Sequence, residues 1–574
     1  MTRCAIIGGV AAGTAAAARL RRLDEDIEIL LFERGNHISY ASCGLPYFIG
    51  ETITKRKKLF VQTPEKFAKR FNIDVRTENE VLKIERGKKL LKVRNLNTDE
   101  EYEEYYDKLI IATGTEPVKP PLQGINHPRI FTVKNVPDTD RIKEFIEQKE
   151  PRRAVIIGGG FIGLEMAENL NDLGIFVTIV EMASQVMTPL DYEMAAEVQH
   201  HLKTKKVEFY LNDAVDYFEE KDDLVVTKTK SGKCIVADMV VLSIGVKPES
   251  RLASEAGLQV GPRGGVVVDE HLHTTDPDIF AIGDVIEFPH PLINKSYSVY
   301  LAGPAAKQGR MVADNIILGD KEVYTGSLAT AIAKVFDLTV ASTGLSEKLL
   351  IAEDIPYVAS ITHSPNHAGY YPGAEPMSIK ILFSPKDGRI FGAQIVGYKG
   401  VDKRIDLFSA LISLGGKISD LTTFEHAYAP PYSSAKDPVN MAGFVAENIL
   451  ENRVRICHWR QIEELKKEGA FFLDVRTPRE VEGGTIQGSA NIPIDDLRDR
   501  LDEIPKDRKI IIFCAVGLRG YFGARILTQH GFEDVYNLSG GWKTFQLATM
   551  EPGNEDIFEK ECVGVNDEIY RCRG

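Results

Sequence analysis

The segment Ala154-Val155-Ile156-Ile157-Gly158-Gly159-Gly160-Phe161-Ile162-Gly163 decides the fold of this chain. Its four apolar residues predict a buried strand, and the glycines at G-x-G-x-x-G spacing predict a tight turn into a helix. A further apolar strand, residues 177–180, ends in Glu181, where an acid is expected to bind an adenosine ribose. The pattern predicts a βαβ unit that binds a dinucleotide. Glu181 would repel a 2′-phosphate, which favours NADH over NADPH.

The N-terminus repeats this plan with one departure. Residues 3–8 predict a strand, 12–22 a helix and 27–33 a strand ending in Glu33, but Val10 takes the place of the middle glycine. Two later apolar strands, ending near residues 112 and 283, would return the chain to the same domain, and together these features favour FAD. The residues assigned to the two cofactors are Gly8, Val10, Ala11, Ala12, Glu33, Arg34, Ser42, Val81, Ala112, Gly114, Gly283, Asp284, Ala302, Gly158, Gly160, Gly163, Glu181 and Gly245.

The 574 residues predict three to five domains, since one domain holds about 100 to 200 residues. A mixed strand and helix pattern after residue 325 and a fresh α/β pattern after residue 454 indicate two domains beyond the nucleotide sites. The expected boundaries are 1–110 and 241–325 for a discontinuous FAD domain, 111–150 for a linking segment and 151–240 for an NAD domain. The two further domains are expected at 326–450 and 455–549, and a tail at 550–574.

Composition excludes several classes of function. The net charge of −13, without a long basic run, argues against a nucleic-acid partner. No apolar run reaches the ~18 residues of a membrane span, and the N-terminus lacks the layout of a signal peptide. Seven dispersed cysteines do not form a disulfide framework, which favours a reducing, cytoplasmic location. Cys562 and Cys572 lie in a polar tail without nearby histidines, so no metal site is expected.

Two cysteines stand where a thiolate would be stabilised. Cys43 has no second thiol within residues 44–50. Pro46 is compatible with a helix that begins just after Cys43, and the N-terminus of such a helix lowers the pKa of a thiol. Cys514 begins a turn whose backbone amides would converge on an anionic sulfur, and Arg519 adds positive charge. We expect Cys43 to relay electrons and Cys514 to hold a sulfane sulfur.

The segment 39–47, the single Cys43 and the two nucleotide motifs resemble the single-cysteine branch of the flavin disulfide reductases over about residues 1–450. Residues 301–304 and 428–437 are similar to coenzyme A disulfide reductases, whereas Val10 departs from the histidine usual in NADH oxidases and peroxidases. Residues 473–476, 491–493, the Cys514 loop and 538–542 resemble a rhodanese domain, although Thr485 stands where a histidine is common. The whole layout looks like NADH-dependent persulfide reductases.

The resemblance implies an α/β fold class with two nested dinucleotide-binding (Rossmann-like) domains, an α+β dimerisation domain and a C-terminal α/β rhodanese domain. It implies FAD, NADH and coenzyme A as cofactors, with coenzyme A supplying the thiol that Cys43 lacks nearby. It also implies a homodimer, in which Tyr428 and Lys436 come from the partner subunit and either Tyr370 or Tyr371 is a second proton donor.

The resemblance also implies which residues hold coenzyme A. Arg19 and Arg22 share a face of the first helix and map to its adenine and phosphate region, with a solvated arginine face as the competing interpretation. Ser39 and Ser42 map nearer the pantetheine arm.

Four functions are compatible with these residues. The leading hypothesis is NADH-dependent reduction of persulfides or polysulfides, with release of sulfide. The fusion of a sulfane-sulfur module to a lone-cysteine reductase supports this hypothesis. Coenzyme A disulfide reduction is the alternative. An NADH oxidase or peroxidase comes third, and a sulfur carrier or redox sensor belongs to a different class.

Overall fold

The computed structural model describes residues 2–550, which form two compact units. Unit 1 comprises residues 2–184 and 207–329, and unit 2 comprises residues 185–206 and 330–550. The helix Tyr192–Thr204 therefore belongs to unit 2, although the sequence placed it inside the NAD domain. Within residues 2–550, no helix is long and apolar enough to cross a membrane.

Unit 1 contains two five-stranded parallel sheets of the same design. The first has the spatial order Ile279–Ala281, Lys108–Ile111, Arg3–Ile7, Glu28–Glu33 and Asp74–Thr77. The second has the order Glu208–Tyr210, Phe176–Val180, Arg153–Ile157, Met239–Leu242 and Ile130–Thr132. In both sheets the central strand precedes a glycine turn, and the strand order reverses beside it, which is where such sheets bind ligands.

Helices cover these sheets. Ala11–Leu23 packs against Ala302–Leu318, and Gly309 permits the close approach, because a Cβ at this position would lie 2.5 Å from the carbonyl oxygen of Ala12. Phe161–Asp172 follows the glycine turn of the second sheet. The other helices of unit 1 are Leu45–Ile49, Pro64–Phe71, Val136–Lys149 and Arg251–Glu255.

Smaller sheets complete unit 1. Two are antiparallel and three-stranded, consisting of Asn79–Glu85, Leu90–Asn95 and Glu101–Tyr105, and of Val215–Lys221, Leu224–Thr229 and Cys234–Ala237. The remaining strands are Thr115–Pro117 paired with Val246–Pro248, and the set Val266–Val267, Ile286–Pro289 and Ser296–Tyr297. The expected linking segment 111–150 thus holds strands and a helix of its own.

Unit 2 begins with an antiparallel sheet in the order Ala331–Val335, Leu338–Gly344, Ile390–Gly397, Pro376–Phe383 and Val358–Pro365. Helices Tyr192–Thr204 and Val401–Ser413 contact this sheet, and Pro438–Leu450 covers its last two strands. Two short helices, Glu347–Ala352 and Ile418–Thr423, complete this part of unit 2.

The C-terminal part of unit 2 is a five-stranded parallel sheet. Its order is Arg455–Cys457, Val535–Leu538, Ile510–Phe513, Phe471–Asp474 and Ala490–Asn491. The four residues of the strand Ile510–Phe513 are all buried, as a central parallel strand requires. The helices of this C-terminal sheet domain are Ile462–Lys467, Pro478–Glu482, Leu518–Gln529 and Gly541–Thr549.

A buried charge cluster joins the segments of unit 2. The ammonium of Lys380, which has no exposed surface, lies 2.9 Å from Asp191, 2.6 Å from Glu193 and 2.9 Å from Glu347. Arg460 of the C-terminal sheet domain contacts both Glu193 and Glu347. These two cations hold the pKa of Glu193 at about 2 against the opposing effect of burial. The cluster therefore ties helix Tyr192–Thr204, the antiparallel sheet and the C-terminal sheet domain together.

Replacement of Lys380 by methionine is expected to destabilise unit 2 strongly. The change leaves three carboxylates around one remaining arginine, and removal of one partner from a buried ion pair costs about 3 to 5 kcal/mol. The melting temperature measured by calorimetry should therefore fall by several degrees. Lys399→Met is the control, because Lys399 is mostly exposed and lies 3.7 Å from its nearest acid, Glu375. Equal melting temperatures for the two variants would contradict this role of Lys380.

Candidate active site

The two parallel sheets of unit 1 bring the predicted nucleotide residues to their carboxyl edges. In the first sheet Gly8, Ala112 and Gly283 follow adjacent strands, and Glu33 ends the next strand. In the second sheet Gly158, Glu181 and Gly245 follow adjacent strands in the same way. Parallel strands end at a shared edge, so residues far apart in the sequence meet there.

The glycine turns are alike, and both require glycine. Gly8 has a φ of +108° and Gly158 a φ of +105°. A Cβ on Gly8 would lie 2.2 Å from the oxygen of Ala112, and one on Gly158 would lie 2.4 Å from the oxygen of Ser243. Such contacts exclude any side chain at either position. The turns therefore present bare backbone at the start of a helix, an arrangement that suits a pyrophosphate.

The departure at Val10 fits the same geometry. Gly160, its counterpart in the second turn, has a φ of −81°, and a Cβ on it would meet no heavy atom within 4 Å. Val10 itself has a φ of −105°. This position of the turn thus has room for a side chain among the protein atoms.

Glu33 and Glu181 hold the two turns through their carboxylates. Glu33 accepts hydrogen bonds from the backbone N–H of Gly9 at 2.8 Å and of Gly35 at 2.8 Å. Glu181 accepts from Gly159 at 2.7 Å and from Ala183 at 2.7 Å. Each acid therefore lies against its glycine turn, in the place where it would meet an adenosine ribose.

The other predicted cofactor residues lie in varied environments. Burial raises the pKa of Asp284 to about 6, and the backbone N–H of neighbouring Gly283 donates to Gln308. Gly114 and Gly245 adopt positive φ and have open space around them, while Ala302 is exposed at the start of its helix. Arg34 pairs with Glu116. The side chain of Val81 is packed in the core, so only its backbone remains for a ligand.

Cys43 lies in a short 3₁₀ turn, Ser42–Gly44, that runs directly into the helix Leu45–Ile49. Its thiol is free and exposed, and Ser42 beside it is exposed as well. Upstream, Ser39 has a φ of +47°, and its N–H donates to the oxygen of Gly9 at 2.8 Å. This bond fixes the start of the cysteine segment to the first glycine turn.

The expectation that the thiol pKa of Cys43 is lowered is wrong. Desolvation by the surrounding protein raises the pKa of Cys43, and the carboxyl groups of Glu165 and Asp284 raise it further. The hydrogen bond from Ser42 acts in the opposite direction but does not prevail. A helix of only five residues offers little dipole to offset these effects.

Glu165 is a site residue that sequence reasoning missed. It lies on the helix after the second glycine turn, and its carboxylate adds to desolvation in raising the pKa of Tyr47, which is four residues beyond Cys43. Desolvation and the nearby Glu168 raise the pKa of Glu165 to about 7. The motif positions alone gave no signal for it, because the contact joins two helices that are over one hundred residues apart.

The two arginines expected to bind coenzyme A differ in their contacts. Arg19 is paired with Asp314 at 2.6 Å, and its side chain is 19% exposed. Arg22 is exposed at the end of the helix. Arg22 is consequently the more accessible of the two to a phosphate.

Unit 2 brings together two of the three predicted tyrosines. The hydroxyl groups of Tyr370 and Tyr428 lie 2.9 Å apart, and both side chains are exposed. Tyr371 instead packs against the ring of His367. Lys436 is exposed on the same loop as Tyr428. The sequence left Tyr370 and Tyr371 equivalent, and the structure pairs Tyr370 with Tyr428.

A buried ion pair supports both tyrosine loops. Arg404 donates to Asp437 at 2.7 Å and also to the backbone oxygen of Asn366, close to Tyr370. Asp437 accepts from Ser433, which lies on the loop that carries Tyr428. Sequence reasoning did not identify Arg404 or Asp437, because their role depends on the meeting of two distant loops.

Cys514 lies at the end of a buried strand, with its side chain fully buried. Its Sγ accepts a hydrogen bond from the N–H of Gly517 at 3.2 Å. Gly541 packs against this loop, and a Cβ on it would lie 2.5 Å from the oxygen of Cys514. The sequence predicted several backbone amides around the sulfur, and in the structure one of them, that of Gly517, bonds to it.

Arg519 reaches both the cysteine and an acid. Its guanidinium donates to the two carboxylate oxygens of Glu480 at 2.6 and 2.8 Å, and its pKa is raised by Glu480 and by Cys514. The Arg519 pair and the N–H of Thr477 hold the pKa of Glu480 at about 2. The sequence analysis did not identify Glu480. Its carboxylate fixes the guanidinium of Arg519 near the Cys514 loop.

Thr485 fills the position of the histidine that is common in rhodanese domains. Its hydroxyl donates to Asp474 at 2.7 Å, and Asp474 also pairs with Arg476 at 2.6 Å. Thr485 is therefore part of the framework beneath the loop. Over residues 2–550 no cluster of histidine, cysteine and acidic side chains forms a metal site, and Cys562 and Cys572 lie outside the described residues.

Alkylation of Cys43 by iodoacetamide should report the charge of Glu165. In the protein without disulfide substrate, Glu165→Gln is expected to speed alkylation about threefold at pH 8, because the carboxylate no longer opposes a thiolate. Below pH 6 the two proteins should react alike, since Glu165 is then neutral. Mass spectrometry of the Cys43 peptide measures the rate, and exposed Glu147→Gln is the control. A pH-independent difference would contradict the assignment.

Three family models match the chain. Residues 2–309 match the pyridine nucleotide-disulphide oxidoreductase model, and residues 330–438 match the dimerisation domain of that family. Residues 459–548 match the rhodanese-like domain. These matches confirm the predicted fold class and the C-terminal rhodanese domain.

Relatives and solved structures agree with this assignment. The chain is 35% identical to a coenzyme A disulfide reductase of Staphylococcus haemolyticus over 78% of this chain and 100% of the relative. It resembles the crystal structure of reduced Bacillus anthracis CoADR-RHD, with 49% identity, a TM-score of 0.93 and coverage of 95% and 98%.

The structure of an NAD-dependent persulfide reductase from A. fulgidus is also similar, with 39% identity, a TM-score of 0.90 and coverage of 95% of this chain and 100% of that one. Both structural neighbours span the rhodanese region as well as the reductase core. The matches support reduction of disulfides or persulfides, with FAD and NAD(H) as the cofactors of the family. The chain therefore belongs to the pyridine nucleotide-disulphide oxidoreductase family and carries a C-terminal rhodanese domain.

Proposed function

We propose that the protein reduces persulfides or polysulfides with NADH and releases sulfide, using FAD and coenzyme A. The observation that carries this proposal is the presence in one chain of a free, exposed Cys43 in the nucleotide-binding unit and a Cys514 thiol that accepts from the N–H of Gly517 and interacts electrostatically with Arg519. A bound flavin would supply the two-electron chemistry between a nicotinamide and a sulfur–sulfur bond.

The chain's own residues fit the two cofactors. The bare backbone at Gly8 and Gly158, each at the start of a helix, suits one pyrophosphate apiece. Glu33 and Glu181 lie against these turns, where an adenosine ribose would follow. We also propose that the other residues assigned to FAD and NADH from the sequence contribute to these two sites.

Cys514 would carry the sulfane sulfur. Its thiolate attacks the outer sulfur of a persulfide or polysulfide, which leaves Cys514 as a persulfide and releases the shortened donor. The N–H of Gly517 and the guanidinium of Arg519 then stabilise the anionic sulfur. The Cys514 persulfide would then pass its outer sulfur to the thiolate of coenzyme A, which restores the Cys514 thiolate.

Cys43 would complete the reaction. Its thiolate attacks the inner sulfur of coenzyme A persulfide, so that hydrosulfide leaves and a mixed disulfide between Cys43 and coenzyme A forms. Two electrons that originate in NADH then cleave this disulfide to two thiols. Tyr428 and Tyr370, paired through their hydroxyls, would donate a proton near the sulfur, and in a homodimer they would come from the partner subunit together with Lys436.

The dimerisation domain supports a homodimer. Ser39, Ser42, Arg19 and Arg22 would hold coenzyme A, with Arg22 more accessible than the paired Arg19. Reduction of coenzyme A disulfide is the second candidate. It is favoured by the curated relatives, which carry that name and match 78% of this chain.

An anaerobic acceptor panel tests the proposal. NADH oxidation is measured with coenzyme A persulfide, inorganic tetrasulfide and coenzyme A disulfide for the wild type, Cys43→Ser and Cys514→Ser. We expect Cys43→Ser to abolish turnover with every acceptor, because it removes the redox thiol. We expect Cys514→Ser to lower turnover with tetrasulfide at least about tenfold while coenzyme A disulfide reduction persists. Equal wild-type turnover with all acceptors and no effect of Cys514→Ser would favour the second candidate.

Glu181 should determine the nicotinamide preference. In Glu181→Ala the repulsion of a 2′-phosphate and the bond to a ribose hydroxyl both disappear. The ratio of kcat/KM for NADPH to that for NADH should rise about tenfold, which equals about 1.4 kcal/mol. Steady-state kinetics with the two nucleotides provide the measurement, and exposed Glu220→Ala is the control. An unchanged ratio would show that another residue decides the preference.

A further inference from the structure

The Cys514 loop is attached by its backbone to the start of the last helix, Gly541–Thr549. The N–H of Trp542 donates to the oxygen of Cys514 at 2.8 Å, and the N–H of Lys543 donates to the oxygen of Ala515 at 2.9 Å. The position of this helix therefore sets the position of the cysteine loop.

The side chains of the same helical turn point to the other part of unit 2. The ammonium of Lys543 donates to Glu197 at 2.9 Å and to the hydroxyl of Ser378 at 3.1 Å. Ser378 in turn donates to the second oxygen of Glu197 at 2.6 Å. Glu197 belongs to the helix Tyr192–Thr204, and Ser378 to the antiparallel sheet, so one lysine spans three elements.

His363 closes this polar network. Ser378 uses its proton on Glu197, so Nδ1 of His363 carries the proton that it donates to Ser378 at 2.8 Å, and Nε2 accepts from Thr544 at 2.9 Å. Burial and the charge of Lys543 lower the pKa of His363, which agrees with this neutral tautomer. A continuous set of hydrogen bonds joins Lys543, Glu197, Ser378, His363 and Thr544. We call this set the docking network.

The backbone leaves little freedom between the docking network and the sulfur. Gly540 and Gly541 both adopt positive φ, at +71° and +61°. A Cβ on Gly540 would lie 2.1 Å from Oγ1 of Thr544, and one on Gly541 would lie 2.8 Å from the nitrogen of Gly517, the donor to Cys514. Displacement of the helix start thus displaces the amide that faces the sulfur.

We propose that Lys543 is a positioning residue for Cys514, which acts by anchoring the start of the helix Gly541–Thr549 to Glu197 and Ser378. The reductase part of unit 2 thereby holds the persulfide loop in the geometry for sulfur transfer, and the rhodanese domain is not an independent carrier. This inference rests on the proposed sulfur-carrying function of Cys514.

The test uses the full-length holoenzyme with Cys43→Ser, which leaves Cys514 as the thiol under study. Two measurements are made on Lys543→Met, Lys543→Arg and the surface control Lys509→Met, whose lysine pairs with exposed Glu468. The first is the rate of Cys514 alkylation by iodoacetamide, followed by mass spectrometry. The second is the rate of thiocyanate formation from cyanide after loading with inorganic tetrasulfide.

Lys543→Met is expected to speed alkylation of Cys514 at least about fivefold, because the loop that buries the thiol loosens, and to slow thiocyanate formation about tenfold. Lys543→Arg should retain rates within about twofold of the parent, since a guanidinium can bind the same two oxygens. Lys509→Met should match the parent. Unchanged rates of both reactions in Lys543→Met would overturn the proposal.

Buried Cys457, in the edge strand of the C-terminal sheet, separates positioning from general unfolding. If Cys457 becomes reactive together with Cys514 in Lys543→Met, the lysine acts only on stability and the proposal is overturned. The double variant Lys543→Met/Glu197→Leu removes both charges, and faster Cys514 alkylation that persists in it supports the anchor.

The two hypotheses fail in different ways. If no protein forms thiocyanate while Lys543→Met still speeds alkylation of Cys514 alone, the proposed sulfur-carrying function fails and the positioning role stands. If the parent forms thiocyanate and Lys543→Met matches it in both rates, the positioning role fails and the sulfur-carrying function stands.

Discussion

Unit 1 depends on the close approach of bare backbone at its two glycine turns. At Gly8 and Gly158 the central strand, the following helix and the loop after the neighbouring strand come so near that a single Cβ would overlap a carbonyl oxygen. This approach lets the helix start at the carboxyl edge of the sheet and lets Glu33 and Glu181 bind the turns. The same constraint that shapes the fold therefore also shapes the two candidate nucleotide sites.

The two sulfur sites are built on different principles. Cys43 is exposed on a short turn, where desolvation and nearby carboxyl groups raise its thiol pKa. Cys514 is buried and already has an amide of Gly517 and the guanidinium of Arg519 directed at its sulfur. Cys514 is thus the preorganised site, and Glu480 completes it by fixing Arg519.

Ion pairs hold the segments of unit 2 together. Lys380 and Arg460 share acids from the helix Tyr192–Thr204 and from Glu347, and Lys543 reaches the same helix through Glu197. Buried ions tolerate few geometries, because each must keep its partners or bear a large desolvation cost. The rhodanese domain is consequently oriented by directional contacts as well as by apolar packing. The Arg404–Asp437 pair does the same for the two loops that carry Tyr370 and Tyr428.

The sequence by itself determined the parts whose chemistry is local. The sequence alone identified the glycine spacing, the acids Glu33 and Glu181, the lone Cys43 and the Cys514 loop, because these features depend on short-range sterics and on the order of residues along the chain. A resemblance added the rhodanese assignment. Only the tertiary structure paired Tyr370 with Tyr428, placed Glu165 beside Tyr47 and Glu480 on Arg519, and raised the pKa of Cys43. These features depend on burial and on contacts between distant segments, and neither quantity is encoded in spacing along the chain.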